Sequence, residues 1–272
     1  MSAGRTACRR ILWRRGVTLD RWFPARRESA AVRCRLFCFP HAGGNALFFR
    51  SWQRLMPSDI DVCPVELPGR GARIPEQPFR RMDQLVETLC DVFEPVLSVP
   101  FAFFGHSMGA YIAFELARRL RSADGSAAMH LFVSGTQAPS RTGRQPPMHA
   151  MPDHHLIAAL TEFGGTPPVV MARRELVTAL LPTMRADLEL VETYRAPRSS
   201  RVPCPITAFS GADDKVDRRA VEMWSNFTED RFRAQIFPGG HFYLSNASTA
   251  LADEIVRDLG ASTRPAASQA TG

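Results

Sequence analysis

Apolar runs of strand length alternate with apolar residues at helical spacing along most of the chain. The runs predict strands near 35–39, 61–66, 100–104, 130–134, 204–209 and 232–237. The helical spacings predict helices near 46–56, 80–97, 108–121, 217–227 and 248–258. This alternation indicates an α/β protein in which a mostly parallel sheet carries helices on both faces.

The segment at about 136–200 interrupts this alternation. Helical patches occur there near 153–162, 173–181 and 182–194, with no strand between them. We interpret the segment as a helical lid inserted into one α/β core that spans 22–260. A subset of the apolar lid side chains is expected to line a binding tunnel: Leu156, Leu160, Phe163, Val169, Val170, Met171, Leu176, Leu180, Leu181, Met184 and Leu188.

The composition supports one globular domain with two atypical ends. The chain has 272 residues, 45% of them hydrophobic, which is enough for one well-formed core. The formal net charge is +7, but residues 1–35 hold ten arginines against Asp20 and Glu28, so the remainder is nearly neutral. We expect 1–21 to be a disordered Arg-rich leader and 261–272 a disordered tail. An upstream start codon or a transit-peptide-like arm are alternatives for the leader.

Several function classes are disfavoured by the same composition. The body lacks a basic stripe with interleaved aromatic residues, which argues against binding to nucleic acid. No apolar stretch reaches 18 residues, so we expect no membrane span. The six cysteines have mainly apolar neighbours, without the paired spacing of a disulfide framework or a zinc site. We therefore expect reduced thiols, no metal and a cytoplasmic protein.

The G-x-S-x-G pattern at 105–109 is the most specific chemical signal. An apolar run at 99–104 precedes it, and a helical pattern at 110–120 follows it. A strand, a sharp turn and a helix form the context of a nucleophile elbow, in which Ser107 would face a cleft. Glycines suit such a turn because it is strained and closely packed.

A serine nucleophile needs a base and an orienting acid, which in this architecture follow it as Asp or Glu and then His, each after a strand. His241 follows the predicted strand at 232–237 and is the candidate general base. The strand at 204–209 is followed by Asp213 and Asp214. We favour Asp214 as the acid because of its Gly-x-x-Asp spacing, and Asp213 remains the alternative.

The reaction also needs donors for an oxyanion. The backbone N–H of Met108, directly after the serine, is the first candidate. The second is expected in the loop after the strand at 35–39, where small residues allow close approach of the backbone. We assign it to the N–H of Ala42, with Gly43 as the alternative. His106, next to the serine, is interpreted as a packing or supporting residue. His41 is expected to brace its loop through a hydrogen bond rather than to act in catalysis.

Several fingerprints occur in a fixed order around these residues. They are Phe39-Pro40-His41-Ala42-Gly43-Gly44, Glu66-Leu67-Pro68-Gly69-Arg70-Gly71-Ala72-Arg73, Gly105-His106-Ser107-Met108-Gly109, Phe163-Gly164-Gly165-Thr166-Pro167, Arg185-Ala186-Asp187 with the following residues to Tyr194, and Gly239-Gly240-His241-Phe242. Together they resemble the type II thioesterases that accompany polyketide and nonribosomal peptide synthetases, a group that includes the stand-alone thioesterases of fatty acid synthesis. The resemblance covers about Trp22 to Leu259.

This resemblance implies an α/β-hydrolase fold and a catalytic triad of Ser107, Asp214 and His241. It also implies a substrate, an acyl thioester on the phosphopantetheine arm of an acyl or peptidyl carrier protein, and a purpose, the clearing of stalled or aberrant acyl groups. No cofactor is expected, because the substrate carries the phosphopantetheine. Carrier proteins are acidic, so we expect a basic docking rim, with candidates at Arg70, Arg73, Arg80 and Arg81.

Two other functions are weighed against this reading. A general serine esterase would share the triad but would lack the thioesterase fingerprints. A non-catalytic binding protein with a hydrolase fold would keep the pocket but would have no need of a complete triad. Release of acyl groups from a carrier protein would distinguish a thioesterase from a general esterase. Covalent labelling of Ser107 by a fluorophosphonate would distinguish an enzyme from a non-catalytic binding protein.

Overall fold

One parallel sheet forms the centre of the molecule. A computed structural model describes residues 19–139, 147–164, 172–197 and 199–262. Its strands are β1 Cys34–Phe39, β2 Ile60–Pro64, β3 Phe101–His106, β4 Leu131–Ser134, β5 Ile206–Gly211 and β6 Phe232–Phe237. They pair in the order β2-β1-β3-β4-β5-β6, and every pair is parallel. All six coincide with predicted strands, so the predicted α/β class is confirmed.

Helices cover both faces of this sheet. The α-helices are α1 Leu19–Trp22, α2 Met82–Phe93, α3 Met108–Arg119, α4 Asp153–Phe163, α5 Arg174–Thr193, α6 Arg218–Glu222 and α7 Ser248–Ser262. Alternate strand residues enter two separate cores, as the pleat of a strand requires. Phe37 and Phe103 pack with α2 and α3, whereas Leu36 and Phe104 share the other core with α7.

The prediction of a helix near 46–56 is wrong in type. Two 3-10 helices, Ala46–Phe49 and Trp52–Arg54, occupy this segment. The buried residues explain the difference. Ala46, Phe49 and Trp52 recur at every third position, which matches the 3-10 repeat rather than the 3.6-residue α-helical one. The prediction at 217–227 fails in a similar way, since a short α6 continues as a 3-10 helix at Met223–Phe227.

The two helical patches predicted at 173–181 and 182–194 form the single helix α5, with Pro182 inside it. Proline lacks the N–H that would bond one turn back and normally ends or bends a helix. Tertiary packing overrides this preference here, because Leu181, Thr183 and Met184 next to the proline are all buried.

Described helices extend slightly beyond both predicted limits of the body. Residues 19–21, which the sequence analysis assigns to the leader, form α1 together with the buried Trp22. Helix α7 extends to Ser262, two residues into the predicted tail. The rest of both terminal segments, 1–18 and 263–272, lies outside the described residues. Within the described ranges, none of the helices combines the length and apolar character needed to cross a membrane.

Candidate active site

Ser107 stands at the sharp turn between β3 and α3. Its backbone has φ 55° and ψ −115°, and no other non-glycine residue among those described has a positive φ. This conformation is strained for an L-residue and is typical of functional turns. The N–H of Ser107 donates to the carbonyl of Ser134, with an N–O distance of 2.7 Å. The turn is therefore held from the neighbouring strand, with its side chain at the carboxyl edge of the sheet.

The flanking glycines allow this turn to pack backbone against backbone. A Cβ on Gly105 would lie 2.2 Å from the carbonyl oxygen of Gly109. A Cβ on Gly109 would lie 2.2 Å from the carbonyl oxygen of Phe39 at the end of β1. Such distances are far inside van der Waals contact, and both neighbours are main-chain atoms. The G-x-S-x-G spacing therefore follows from the space available.

The loops after β5 and β6 bring an acid and a histidine together. The distance from Nδ1 of His241 to Oδ2 of Asp214 is 2.9 Å. The Asp214 side chain is 1% exposed and that of His241 is 12% exposed. Asp213 is exposed, and its N–H donates to the carbonyl of Gly239, which ties the two loops together. Of the two aspartates considered, Asp214 is the one that lies against His241.

One cavity of about 1010 Å³ joins these groups to the lid helices. Its wall includes Ser107, Met108, Ala42, Asp214 and His241. From the expected lid residues it includes Leu160, Phe163, Leu180, Met184 and Leu188. The other lid residues differ: Leu156 and Leu181 pack in a small core of the lid, Leu176 is largely exposed, and positions 169–171 lie outside the described residues.

Helix α4 covers the histidine with its last turn. The centroids of the Phe163 and His241 rings are 5.9 Å apart. The adjacent Glu162 forms an ion pair with Lys215, the residue after Asp214. The sequence analysis names Phe163 only as a possible tunnel residue. Its contact with the His241 ring depends on the path of the chain and has no sequence signal.

Two backbone N–H groups at the wall of the cavity are available to bind an oxyanion. Met108 is the first residue of α3, so its N–H has no intrahelical acceptor and lies at the positive end of the helix dipole. The N–H of Ala42 has no hydrogen-bond partner among the residues that the structure describes. In contrast, the N–H of Gly43 donates to Oδ2 of Asp187 at 2.7 Å. The geometry therefore favours Ala42 over Gly43 as the second donor.

Two further histidines, His106 and His41, lie near His241. Nδ1 of His106 lies 2.9 Å from Oγ of Ser134, which in turn lies 2.7 Å from the hydroxyl of Tyr243. Burial lowers the pKa of His106 well below its ordinary value. Burial, together with His241 and Arg70, lowers the pKa of His41 to about 3. Both rings are therefore neutral at physiological pH. Nδ1 of His41 is buried and has no hydrogen-bond partner among the described residues, so the hydrogen bond expected to brace its loop is not made through this atom. The His41 ring packs instead against Phe48 and Phe242.

The lowered pKa values of the buried histidines predict a steep loss of folding stability in acid. Burial also lowers the pKa of His130 to about 4, whereas an unfolded histidine titrates near 6.5. Below about pH 6.5 the unfolded chain binds protons that the folded chain refuses, so stability is full above this pH and falls below it. Together, His41, His106 and His130 should lower the free energy of unfolding by roughly 4 kcal/mol per pH unit near pH 5.

Urea unfolding between pH 4.5 and 7 measures this slope. The variant His130→Gln lies away from the cavity and removes one of the three groups. It should reduce the slope by about a third. A free energy of unfolding that is independent of pH across this range would contradict the assigned protonation states.

Two of the four arginines expected on a docking rim are buried, which corrects that expectation. Arg70 is 5% exposed and pairs with Asp187, at 2.7 Å between Nη2 and Oδ1. Arg73 is also 5% exposed and lies over the Trp22 ring at 3.7 Å from its centroid. Both arginines are buried because they contact buried partners, Asp187 and Trp22, and they therefore add no charge to the surface. Arg80 and Arg81 are exposed, as expected.

Asp187 is a residue of this site that sequence reasoning missed. It belongs to one of the fingerprints, but the sequence analysis gives it no role. A signal was available, because Met184, Asp187, Leu188 and Val191 follow the spacing of one helix face. A carboxylate on an otherwise apolar face indicates a buried partner.

The fold and the serine elbow are those of an α/β-hydrolase. The family model of the thioesterase domain matches residues 34–262. The gramicidin S biosynthesis protein GrsT of Aneurinibacillus migulanus is 37% identical over 242 residues, which cover 89% of this chain and 94% of that protein. The medium-chain S-acyl fatty acid synthase thioesterase of Homo sapiens is 35% identical over 215 residues, covering 77% of this chain and 80% of that protein.

Solved structures give the same result. The type II thioesterase BorB from the borrelidin biosynthetic cluster superimposes with a TM-score of 0.80 at 37% identity, covering 90% of this chain and 100% of that one. The chain therefore belongs to the thioesterase domain family, and its activity is the hydrolysis of thioesters.

Proposed function

We propose that this thioesterase hydrolyses acyl thioesters on the phosphopantetheine arm of acyl or peptidyl carrier proteins, and so clears stalled or aberrant acyl groups in polyketide or nonribosomal peptide biosynthesis. The observation that carries the proposal is the shared cavity, in which the strained Ser107 and the Asp214–His241 pair face apolar lid helices. Relatives that act in gramicidin S and borrelidin biosynthesis support the biological setting.

The first half of the proposed reaction acylates the enzyme. The hydroxyl oxygen of Ser107 attacks the thioester carbonyl while Nε2 of His241 takes the hydroxyl proton. Asp214 accepts a hydrogen bond from Nδ1, which fixes the tautomer of the imidazole and stabilises its charged form. The tetrahedral oxyanion is bound by the N–H groups of Met108 and Ala42. The carbon–sulfur bond then breaks, and His241 returns its proton to the leaving thiol.

The second half releases the acid. Water enters the position vacated by the thiol, and His241 takes one of its protons as the oxygen attacks the acyl-enzyme carbonyl. The same two N–H groups bind the second oxyanion. The ester bond to Ser107 breaks, and His241 returns the proton to the serine oxygen. The products are a free carboxylic acid and the regenerated enzyme.

The cavity suits acyl chains of several shapes. Leu160, Leu180, Met184 and Leu188 contribute apolar side chains to its wall. Flexible Leu and Met side chains adapt to different ligands, which an editing enzyme requires. A volume of about 1010 Å³ is ample for a short acyl group and the thiol end of the arm.

The proposal includes no metal and no cofactor, because the three side chains supply the nucleophile and the proton transfer while the substrate carries the phosphopantetheine. The partner is an acidic carrier protein, for which the exposed Arg80 and Arg81 remain docking candidates. No nucleic acid or membrane takes part. We place the protein in the cytoplasm, supported by the five free cysteines among the described residues.

Comparison of three substrates with one acyl group tests the proposal. The acyl group is presented on a phosphopantetheinylated carrier protein, on free pantetheine and as an oxygen ester. We expect the highest kcat/KM for the carrier thioester and the lowest for the oxygen ester, because carrier contacts add binding energy. Equal kcat/KM values for the two thioesters would show that the enzyme does not recognise the carrier protein. Faster hydrolysis of the oxygen ester would instead assign a general esterase.

A further inference from the structure

A buried ion pair lies beside the cavity and is not used in the proposed chemistry. Asp187 on α5 is 2% exposed and Arg70 is 5% exposed. They form two hydrogen bonds, Nη2 to Oδ1 at 2.7 Å and Nη1 to Oδ2 at 2.8 Å. Burying such a pair gains little stability relative to apolar residues of similar size. Stability alone therefore does not explain why two charges are placed here.

Both members of the pair also bind the loop that carries the candidate oxyanion donor. Oδ2 of Asp187 accepts the N–H of Gly43 at 2.7 Å. Nη1 of Arg70 donates to the carbonyl of Gly44 at 3.2 Å. The loop is thus held through one N–H and one carbonyl of its backbone, directly after Ala42.

These contacts select one conformation of the loop. The N–H of Gly44 donates to the carbonyl of His41 at 2.9 Å, which closes a turn with Ala42 and Gly43 at its centre. Gly43 has φ +74°, whereas Ala42 does not have a positive φ, so the turn is of type II. Type I and type II turns differ by a flip of the central peptide, here the one between Ala42 and Gly43. Asp187 accepts the N–H of that peptide and so opposes the flip.

The anchoring carboxylate belongs to the lid rather than to the core of the sheet. One turn before Asp187, Oγ1 of Thr183 donates to the carbonyl of Gly69 at 2.7 Å. The Sδ and Cε atoms of Met184 pack against Gly43, where a Cβ would lie 2.3 Å from Cε. Met184 and Leu188 on this helix also line the cavity. The helix that would contact the acyl chain therefore also fixes the oxyanion loop.

We propose that Asp187, oriented by Arg70, is the positioning residue of the oxyanion hole and couples the lid helix α5 to the N–H of Ala42. This inference rests on the proposed function, since it concerns the same site. With α5 in place, the loop holds the Ala42 N–H ready for the oxyanion. The Ala42 N–H belongs to the peptide before the anchored one, so Asp187 acts on it through the position of the whole turn. Without Asp187 the turn loses this anchor and the hole loses one donor.

Steady-state kinetics on the acyl-carrier substrate test this role. Asp187→Ala removes the oxygen that accepts the Gly43 N–H together with the charge that holds Arg70. Its kcat should fall about 10²-fold with KM changed less than about 3-fold, the loss typical of one oxyanion donor. Glu175→Ala is the matched control, because Glu175 is an exposed carboxylate in the first turn of the same helix. It should retain the wild-type kcat.

A double variant separates positioning from folding. Arg70→Met with Asp187→Leu removes both charges together and should keep a melting temperature close to that of the wild type. Its kcat should nevertheless fall by the same factor as that of Asp187→Ala, because the turn has lost its acceptor in both. A purely structural role would give a double variant with normal kcat.

Two inhibitors provide a readout that general damage would not give. An acyl-pantetheine trifluoromethyl ketone forms an oxyanion adduct with the serine, whereas the corresponding thioether has no carbonyl. Both variants should bind the ketone about 10²-fold more weakly and the thioether with unchanged affinity. Equal weakening of both inhibitors, or a kcat within 2-fold of the wild type, would overturn the proposal. Absence of Ser107-dependent hydrolysis in the wild type would instead show that the proposed function itself is wrong.

Discussion

Replacement of Ser107 by alanine is expected to lower the hydrolysis of acyl-carrier thioesters by about 10⁴-fold or more. The variant keeps the oxyanion donors and the Asp214–His241 pair but has no oxygen to attack the carbonyl. Water acting alone would have to replace the serine without the gain in proximity that the elbow provides. Single-turnover release of the free acid, with enzyme in excess, measures the loss.

Ser51→Ala is the matched control for this variant. Ser51 is exposed, and its side chain forms no cap hydrogen bond with the 3-10 helix that it precedes. Turnover should stay at the wild-type level, and both variants should melt close to the wild type. A Ser107→Ala enzyme with more than about a tenth of wild-type activity would remove the serine from its assigned role.

The second large effect is expected at Asp214. Asp214→Asn should lower kcat by about 10⁴-fold, because an amide in this position favours the wrong tautomer of His241 and no longer stabilises the imidazolium. Asp213→Asn, one position earlier and exposed, should change kcat less than 2-fold. The pair of variants measures the same substitution at adjacent positions. A larger loss at Asp213 than at Asp214 would show that the acid loop rearranges in the working enzyme.

Much of the fold follows from features that are local in the sequence. The central strands are buried on both faces and therefore read as continuous apolar runs, as at β3, where all six residues are buried. The elbow could be predicted because its glycines meet a backbone constraint that only glycine satisfies. The approach of Asp214 to His241 could be predicted because both follow parallel strands, whose carboxyl ends share one edge of the sheet.

Other features depend on contacts between distant segments and could not be predicted. Arg70 is buried because it pairs with Asp187, which lies 117 positions away on the lid. Whether an arginine is exposed or buried is decided by such partners and not by its neighbours in the sequence. Helix α5 runs through Pro182 because buried residues on either side of the proline hold both halves. Local propensity predicts a break at this point, and tertiary packing removes it.

The arrangement of the site also separates two tasks between sheet and lid. The sheet supplies Ser107, Asp214 and His241 from loops at one edge, braced by main-chain contacts. The lid supplies the apolar wall and, through Asp187, a contact with the oxyanion loop. The proposed editing role requires a rigid reaction centre that accepts many acyl groups. Ser107, Asp214 and His241, held at the sheet edge beside an adaptable apolar wall, would meet both requirements.

The most direct test of the central claim is transfer of the acyl group from a carrier protein to Ser107. Enzyme in excess is mixed with acylated carrier protein, quenched with acid within milliseconds and analysed by mass spectrometry of its peptides. The assigned mechanism predicts an acyl group on the peptide that contains Ser107, transient in the wild type and absent from Ser107→Ala, together with release of the free acid by the wild type alone. Release of the acid by Ser107→Ala at the wild-type rate, with no acyl group on the enzyme, would contradict it.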